Sequence, residues 1–337
     1  MVRLNAEISS VLIISLIALA PVVDAGCCSG GTWDPSAFLN SEPEASQPVH
    51  SESTHEGNAA DSGSSAQKPM ERASTYPNGE ILKPMKSVSS SDVVIDVSND
   101  NSYAISHIKD AIHIPSRDFI NSEGDLKTVE DLARILGDAG VSSSDTIVLY
   151  SGQESLGGAE FAFLVLRYLG QNDVKLLDGS LADWKAAGLP EDVMENKRPA
   201  AEYKPEIQSG IISEYEYVKS GQAQIIDVRL FTEFGKGRIP GSIALDLSNV
   251  INGGRIKDKD GLSIVFSRLD KDKPIVVYSD DYSHSALAAF ALQLMGYKAG
   301  IYSWQDWKAH EATQVQSGAA LSGDDAVGSK YTQLGTA

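Results

Sequence analysis

The 337-residue chain has room for two ordinary domains and their appendages. A formal charge of −18 without a clustered basic face excludes nucleic acid as a partner, and the same field opposes anionic small substrates. The only cysteines, Cys27 and Cys28, are adjacent. They cannot staple a core and are too few for a zinc or iron–sulfur site, so no metal or cofactor is expected.

The first feature in chain order is an apolar run of about 13 residues, Val11 to Val23. It is shorter than the roughly 20 residues of a membrane span and suits a signal-peptide core. Residues 1–28 therefore read as a signal segment, with Arg3 as a weak positive flank offset by Glu7. Two endings stay open. Val23-Asp24-Ala25 offers a small residue for cleavage, whereas Ala25-Gly26-Cys27 resembles a lipobox whose Cys27 would be lipidated. Asp24 departs from that pattern, where an aliphatic residue is usual. Either ending predicts an exported protein, secreted or periplasmic, or held on the outer face of the cytoplasmic membrane by its N-terminal anchor or lipid.

Residues 29–79 are rich in Ser, Glu, Pro, Gly and Gln. They cannot bury enough apolar area to offset their ordering entropy, and a disordered stalk is expected. His50 and His55 are too isolated there to act as ligands. Residues 312–337 read as a second such tail.

An α/β pattern lies between. Val93–Val97 and Ala111–Pro115 read as strands, and Leu126–Leu136 as a helix ended by Gly137. Thr146–Tyr150 is a strand, Ala159–Leu169 a helix closed by Gly170, and Val174–Leu177 a strand. Leu181–Ala187 is a short helix before Gly188 and Pro190. The pattern then repeats. Ile225-Ile226-Asp227-Val228-Arg229 echoes Ile95-Asp96-Val97, Ile275 to Ser279 echoes Ile147 to Ser151, and Asp306-Trp307-Lys308-Ala309 copies Asp183-Trp184-Lys185-Ala186. The offset, roughly 125–130 residues, is that of a domain rather than a solenoid unit. Two copies follow, residues 80–192 and 207–311, with a linker over 193–206. Near-continuous apolar strands alternating with helices predict α/β domains with parallel sheets covered on both faces.

The stretch most suited to chemistry is Pro274 to Ser285. A buried strand ends at Ser279, and the chain passes through Asp280 to Ser285 onto a helix predicted over Ala286–Met295. Such a junction aims backbone N–H groups and the helix's positive end at one point, an anion cradle.

These residues carry a resemblance. Asp227-Val228-Arg229, Glu233-Phe234, Gly237-Arg238-Ile239-Pro240-Gly241-Ser242-Ile243, Tyr278 and Gly296-Tyr297 resemble a rhodanese domain. The first copy is looser at Asp96-Val97, Tyr103, His107-Ile108 and Ala111-Ile112. It tightens at Leu177-Asp178-Gly179-Ser180 with Trp184, Gly188 and Pro190. Over about residues 80 to 310 the chain is similar to tandem thiosulfate and 3-mercaptopyruvate sulfurtransferases. The resemblance implies two tandem doubly wound parallel-sheet domains. It also implies a loop after the central strand in which a cysteine of lowered pKa carries sulfur as a persulfide, and a later arginine that binds the donor.

This chain departs from that pattern at the reacting atoms. Ser279 stands at the cysteine position of the second copy and Ser151 at that of the first. Tyr282 occupies a usual glycine position and His284 the usual arginine position. A hydroxyl cannot replace a thiolate as a sulfur carrier, and Asp280 and Asp281 repel thiosulfate. Two rescues are unfavourable: a Ser279–His284–Asp triad packed into one short segment, and Cys28 reaching in from the stalk. The expectation is therefore a binding or interaction module acting through Ser279, Asp280, Asp281, Tyr282, Ser283, His284 and Ser285, supported by Asp227 and Arg229. Its partner would be a protein or a small sulfur compound or oxyanion. The alternative is a sulfurtransferase with unconventional chemistry. Trp184 and Trp307 are expected to be core anchors and Pro240-Gly241 a turn.

Overall fold

The computed structural model describes residues 72–152 and 156–313. The signal segment with Cys27 and Cys28, the stalk up to residue 71 and the tail beyond 313 lie outside the described residues. The first copy contains β1 (Leu82–Pro84), β2 (Val93–Asp96), α1 (Asp100–Ile105), β3 (His107–Ile108), β4 (Ile112–His113), α2 (Val129–Asp138), β5 (Ile147–Tyr150), α3 (Gly158–Tyr168), β6 (Val174–Asp178), α4 (Leu181–Ala186) and β7 (Glu191–Asp192). The second contains α5 (Tyr215–Lys219), β8 (Gln224–Asp227), α6 (Phe231–Lys236), β9 (Ile243–Ala244), β10 (Ile251–Asn252), β11 (Arg255–Ile256), α7 (Lys259–Val265), β12 (Ile275–Ser279), α8 (Tyr282–Leu294) and β13 (Ala299–Ser303). A last helix covers 304–313.

Each copy is built on a parallel sheet. The strand order is β1, β6, β5, β2, β4 in the first and β13, β12, β8, β9 in the second. The antiparallel pairs β3–β7 and β10–β11 are small side ribbons. Pleating divides each apolar run between two faces. Ile147 and Leu149 enter one core, whereas Val148 and Tyr150 enter another with Trp184. Likewise Ile275 and Val277 face the first core, while Val276 and Tyr278 join Trp304 and Trp307. The core shared by both copies is a helix layer. There α3 meets α8, with Phe163 edge-on to Phe290 at 5.0 Å and Phe161 stacked on Tyr282 at 5.3 Å.

Five boundaries differ from the sequence reading, each for a local reason. The helix expected from Leu126 begins at Val129, because the Thr128 hydroxyl accepts from the Asp131 N–H. Its left-handed closing glycine is Gly140 (φ 79°), not Gly137, which lets Ala201 approach so closely that a Cβ would lie 2.6 Å from the Ala201 oxygen. Residues 72–79 of the expected stalk are packed. Ala73 and Tyr76 are buried, and the Tyr76 hydroxyl donates to the Lys257 carbonyl at 2.7 Å. The expected linker is likewise an extended, packed segment: the N–H groups of Ala201 and Glu206 donate to Gly137 and Leu169, and Tyr203 is buried. The fifth difference, the start of α8, changes the site itself.

Gly157 illustrates how tightly the copies meet. Its φ is +81°, and a Cβ there would sit 2.1 Å from the Ser283 carbonyl oxygen on α8. Gly157→Ala combines left-handed strain with a backbone clash, so we expect destabilisation by more than ~2 kcal/mol. A fall in the urea midpoint at unchanged m-value would report it.

Candidate functional site

The carboxyl ends of parallel strands are where such sheets hold ligands. In the second copy that end is organised by Asp227, the last residue of β8, which is fully buried. It accepts from the Arg229 Nε at 3.0 Å, the Arg229 backbone N–H at 2.9 Å and the Tyr278 hydroxyl at 2.6 Å. Arg229 also donates to the Gly237 carbonyl at 2.6 Å and lies over the Trp304 ring at 4.1 Å. The Tyr278 hydroxyl in turn accepts from the Ile239 N–H at 3.1 Å. Burial, followed by the bond to Asp227, pushes that phenol up to about 12. Asp227 and Arg229 are thus a buried, saturated ion pair that braces the loops, with Arg229 reaching Asp280 only at 3.9 Å.

Ser279 ends β12 and is 4% exposed. The anticipated loop is short. Helix α8 starts at Tyr282, so Tyr282, Ser283, His284 and Ser285 form its first turn and only Asp280 and Asp281 separate strand from helix. The reason is Asp281, whose side chain accepts the His284 N–H at 2.9 Å and forms the N-cap. The His284 ring adds an ion pair to the Asp281 carboxylate at 2.7 Å. Burial pushes the Asp281 carboxyl up, but the side-chain and backbone hydrogen bonds of His284 outweigh it and leave a lowered pKa. The bond to Asp281 raises that of His284, against a smaller opposing effect of burial. A carboxylate of the protein's own therefore sits where an anion would bind.

Tyr282 completes the closure. It is buried and stacks on Phe161. The space left between Ser279, Asp280, Asp281, Tyr282, Ser303 and Gly124 is about 10 Å³, room for one water. The cradle expected here is filled by its own side chains. The His284 ring is engaged by Asp281, and no hydrogen bond joins it to Ser279 among the described residues, so a triad is not assembled. Ser283 is half-buried, and Ser285 is buried with its hydroxyl donating to the Tyr282 carbonyl at 3.0 Å.

The equivalent end of the first copy leaves more space among the described residues. Ser151 follows β5, and the helix after it starts from Gly157, in the left-handed region, without a side-chain cap. A cavity of about 130 Å³ lies there, near the ~150 Å³ that holds a benzene ring. Its apolar wall includes Leu149 and Leu176 from the first sheet and Leu287 and Phe290 from α8. Ser151, Glu160, Arg72, Asp178 and Arg255 supply the polar groups. Both arginines are already paired, Arg72 with Asp178 at 3.2 Å and Arg255 with Asp183 at 3.3 Å. Glu160 is different. Burial raises its carboxyl to about 7, opposed only by a hydrogen bond from its own backbone N–H. The sequence did contain a signal for it: Glu160 is the single charge in the apolar stretch Gly158 to Leu166. The buried Asp96 at the end of β2 accepts from the Ser98 N–H at 2.9 Å and pairs with Tyr150, so Ser98 stands where the second copy has Arg229.

Comparison with known proteins places both copies. A model described as the Rhodanese-like domain matches residues 79–187 and 215–310, together more than half of the chain. A thiosulfate sulfurtransferase of Corynebacterium glutamicum is 28% identical over 249 residues, covering 62% of this chain and 80% of that protein. The sulfur carrier protein TtuD of Thermus thermophilus is 29% identical over 222 residues, covering 57% and 75%. Among solved structures, the 3-mercaptopyruvate sulfotransferase SseA of Escherichia coli superposes with a TM-score of 0.59 at 22% identity, covering 66% of this chain and 97% of its own. At that identity the agreement speaks for the fold alone.

Proposed function

Because the chain belongs to the rhodanese family, with two rhodanese-like domains in tandem, we propose that it is a member that binds a ligand instead of transferring sulfur. The observation that carries this reading is the closed end of β12. Serine stands at the sulfur-carrying position, and Tyr282 and Asp281 occupy the space and the helix end that a donor would need. Binding then falls to the open cavity beside Ser151. We also propose export, with Cys27 as the lipidated residue or Ala25 as the cleavage site. Intact mass of the mature protein separates these, since a diacylglycerol-modified Cys27 is heavier than the cleaved chain.

The family's activity tests the main reading. Full-length protein carrying Cys27→Ser and Cys28→Ser is expected to form thiocyanate from thiosulfate and cyanide no faster than buffer. Ser279→Cys is expected to stay silent too. Its thiol would keep a pKa at or above the ordinary value of about 8.5, because Asp280 and Asp281 oppose the thiolate. Turnover by the double-serine protein would overturn the proposal in favour of a sulfurtransferase with unconventional chemistry.

A further inference from the structure

We propose that the cavity between Ser151 and α8 takes a small primary amine with a short apolar tail, its ammonium paired with Glu160. This rests on the reading that the protein binds a ligand there, and it names the ligand's chemical class. The argument begins with charge accounting inside the cavity. Among the described residues, the titratable groups lining the cavity with Glu160 are Arg72 before β1, Tyr150 on β5, Asp178 on β6 and Arg255 on β11, whereas α8 contributes Leu287, Phe290 and Leu294. Arg72 is committed to Asp178, Tyr76 and the Ile256 carbonyl, and Arg255 to Asp183. Glu160 has no cationic partner among the described residues. When ionised it is therefore a half-buried charge with no cation beside it among the described residues, and partial removal of such a charge from water is costly unless an opposite one arrives.

An anion gains little in comparison. It would meet the ionised Glu160 and the field of a chain with a formal charge of −18, whereas that field draws a cation in. The leucines and Phe290 suit a hydrocarbon tail, and a cavity of about 130 Å³ limits the ligand to a short chain or single ring. Proton linkage follows directly. Glu160 ionises with difficulty in the folded protein, so the stability associated with its protonated form is complete below its ordinary value of 4.5 and is lost as pH rises through about 7. An ammonium stabilises the ionised form, so amine affinity should rise over the same interval, while an alkylammonium keeps its charge to about pH 10.

The test is a thermal-shift and calorimetric titration of the full chain with n-butylamine, n-butanol and butyrate at pH 6 and pH 8. We expect butylamine alone to raise Tm, by about 3–6 °C at tenfold excess over its Kd, more strongly at pH 8 than at pH 6. Glu160→Gln should abolish the amine shift and its pH dependence, and should flatten the stability profile between pH 4.5 and 7. Leu287→Phe, which fills the cavity while leaving Glu160 in place, should block the amine without flattening that profile. A butyrate shift equal to that of butylamine, or an amine shift that survives Glu160→Gln, overturns the assignment. The two readings fail separately, since thiocyanate formation overturns the absence of sulfur transfer and the amine titration decides the ligand class.

Discussion

Replacing Asp227 with alanine should destabilise the protein by about 3–5 kcal/mol, the cost of breaking a buried ion pair by removing one partner. The Arg229 side chain is 3% exposed and Asp227 is fully buried, so the guanidinium loses its counter-charge away from bulk solvent. Three donors lose their acceptor at once: the Arg229 side chain, its backbone N–H and the Tyr278 hydroxyl. Arg229 retains the Gly237 carbonyl and the Trp304 face, which keeps the loss finite. Urea unfolding measures it. Arg229→Met should also be costly, since it strands a buried carboxylate. The double variant Asp227→Ala with Arg229→Met should be less unstable than the sum of the single changes. Strict additivity would mean that the pair is not coupled and that the bracing role assigned to it is wrong.

The second large effect is expected at the seam between the copies. Phe290 is fully buried on α8, edge-on to Phe163 of α3, and it also borders the cavity at Ser151. Phe290→Ala removes a large side chain that α3 and the sheet cannot replace, at about 3–5 kcal/mol. With ~2–4 °C per kcal/mol for a protein of this size, Tm should fall by roughly 6–20 °C. Both copies contribute to one continuous core, so calorimetry should show one lowered transition rather than a lost second domain. Two separated transitions in the wild type would contradict that continuity.

How much of this was legible in the chain itself differs from residue to residue. The duplicated strand-and-tryptophan pattern sufficed for two α/β domains, because apolar runs such as Ile147–Tyr150 and Ile275–Ser279 can only be central strands buried on both faces. The pairing of Asp227 with Arg229 was also within reach, being a contact between neighbours in sequence. Helix starts were harder. Asp281 reads equally well as a loop residue or an N-cap until its bond to the His284 N–H is seen, and that bond converts the expected loop into a helical turn. Tyr76 and the Arg72 contacts were missed because a few apolar residues at the end of a polar stretch do not announce a docking surface supplied by residues 178 to 257.

The sequence by itself determined the family architecture and the absence of any thiol beyond Cys28, for these are matters of periodicity and residue identity. Only the tertiary structure decided which of the two strand ends is open. Tyr282 closes one end by stacking on Phe161 of the other copy, and Leu287 and Phe290 help wall a cavity at the other. Both outcomes depend on α3 and α8 packing against each other. Residues far apart in the chain supply the volume and the burial there, and no local pattern encodes the space they leave.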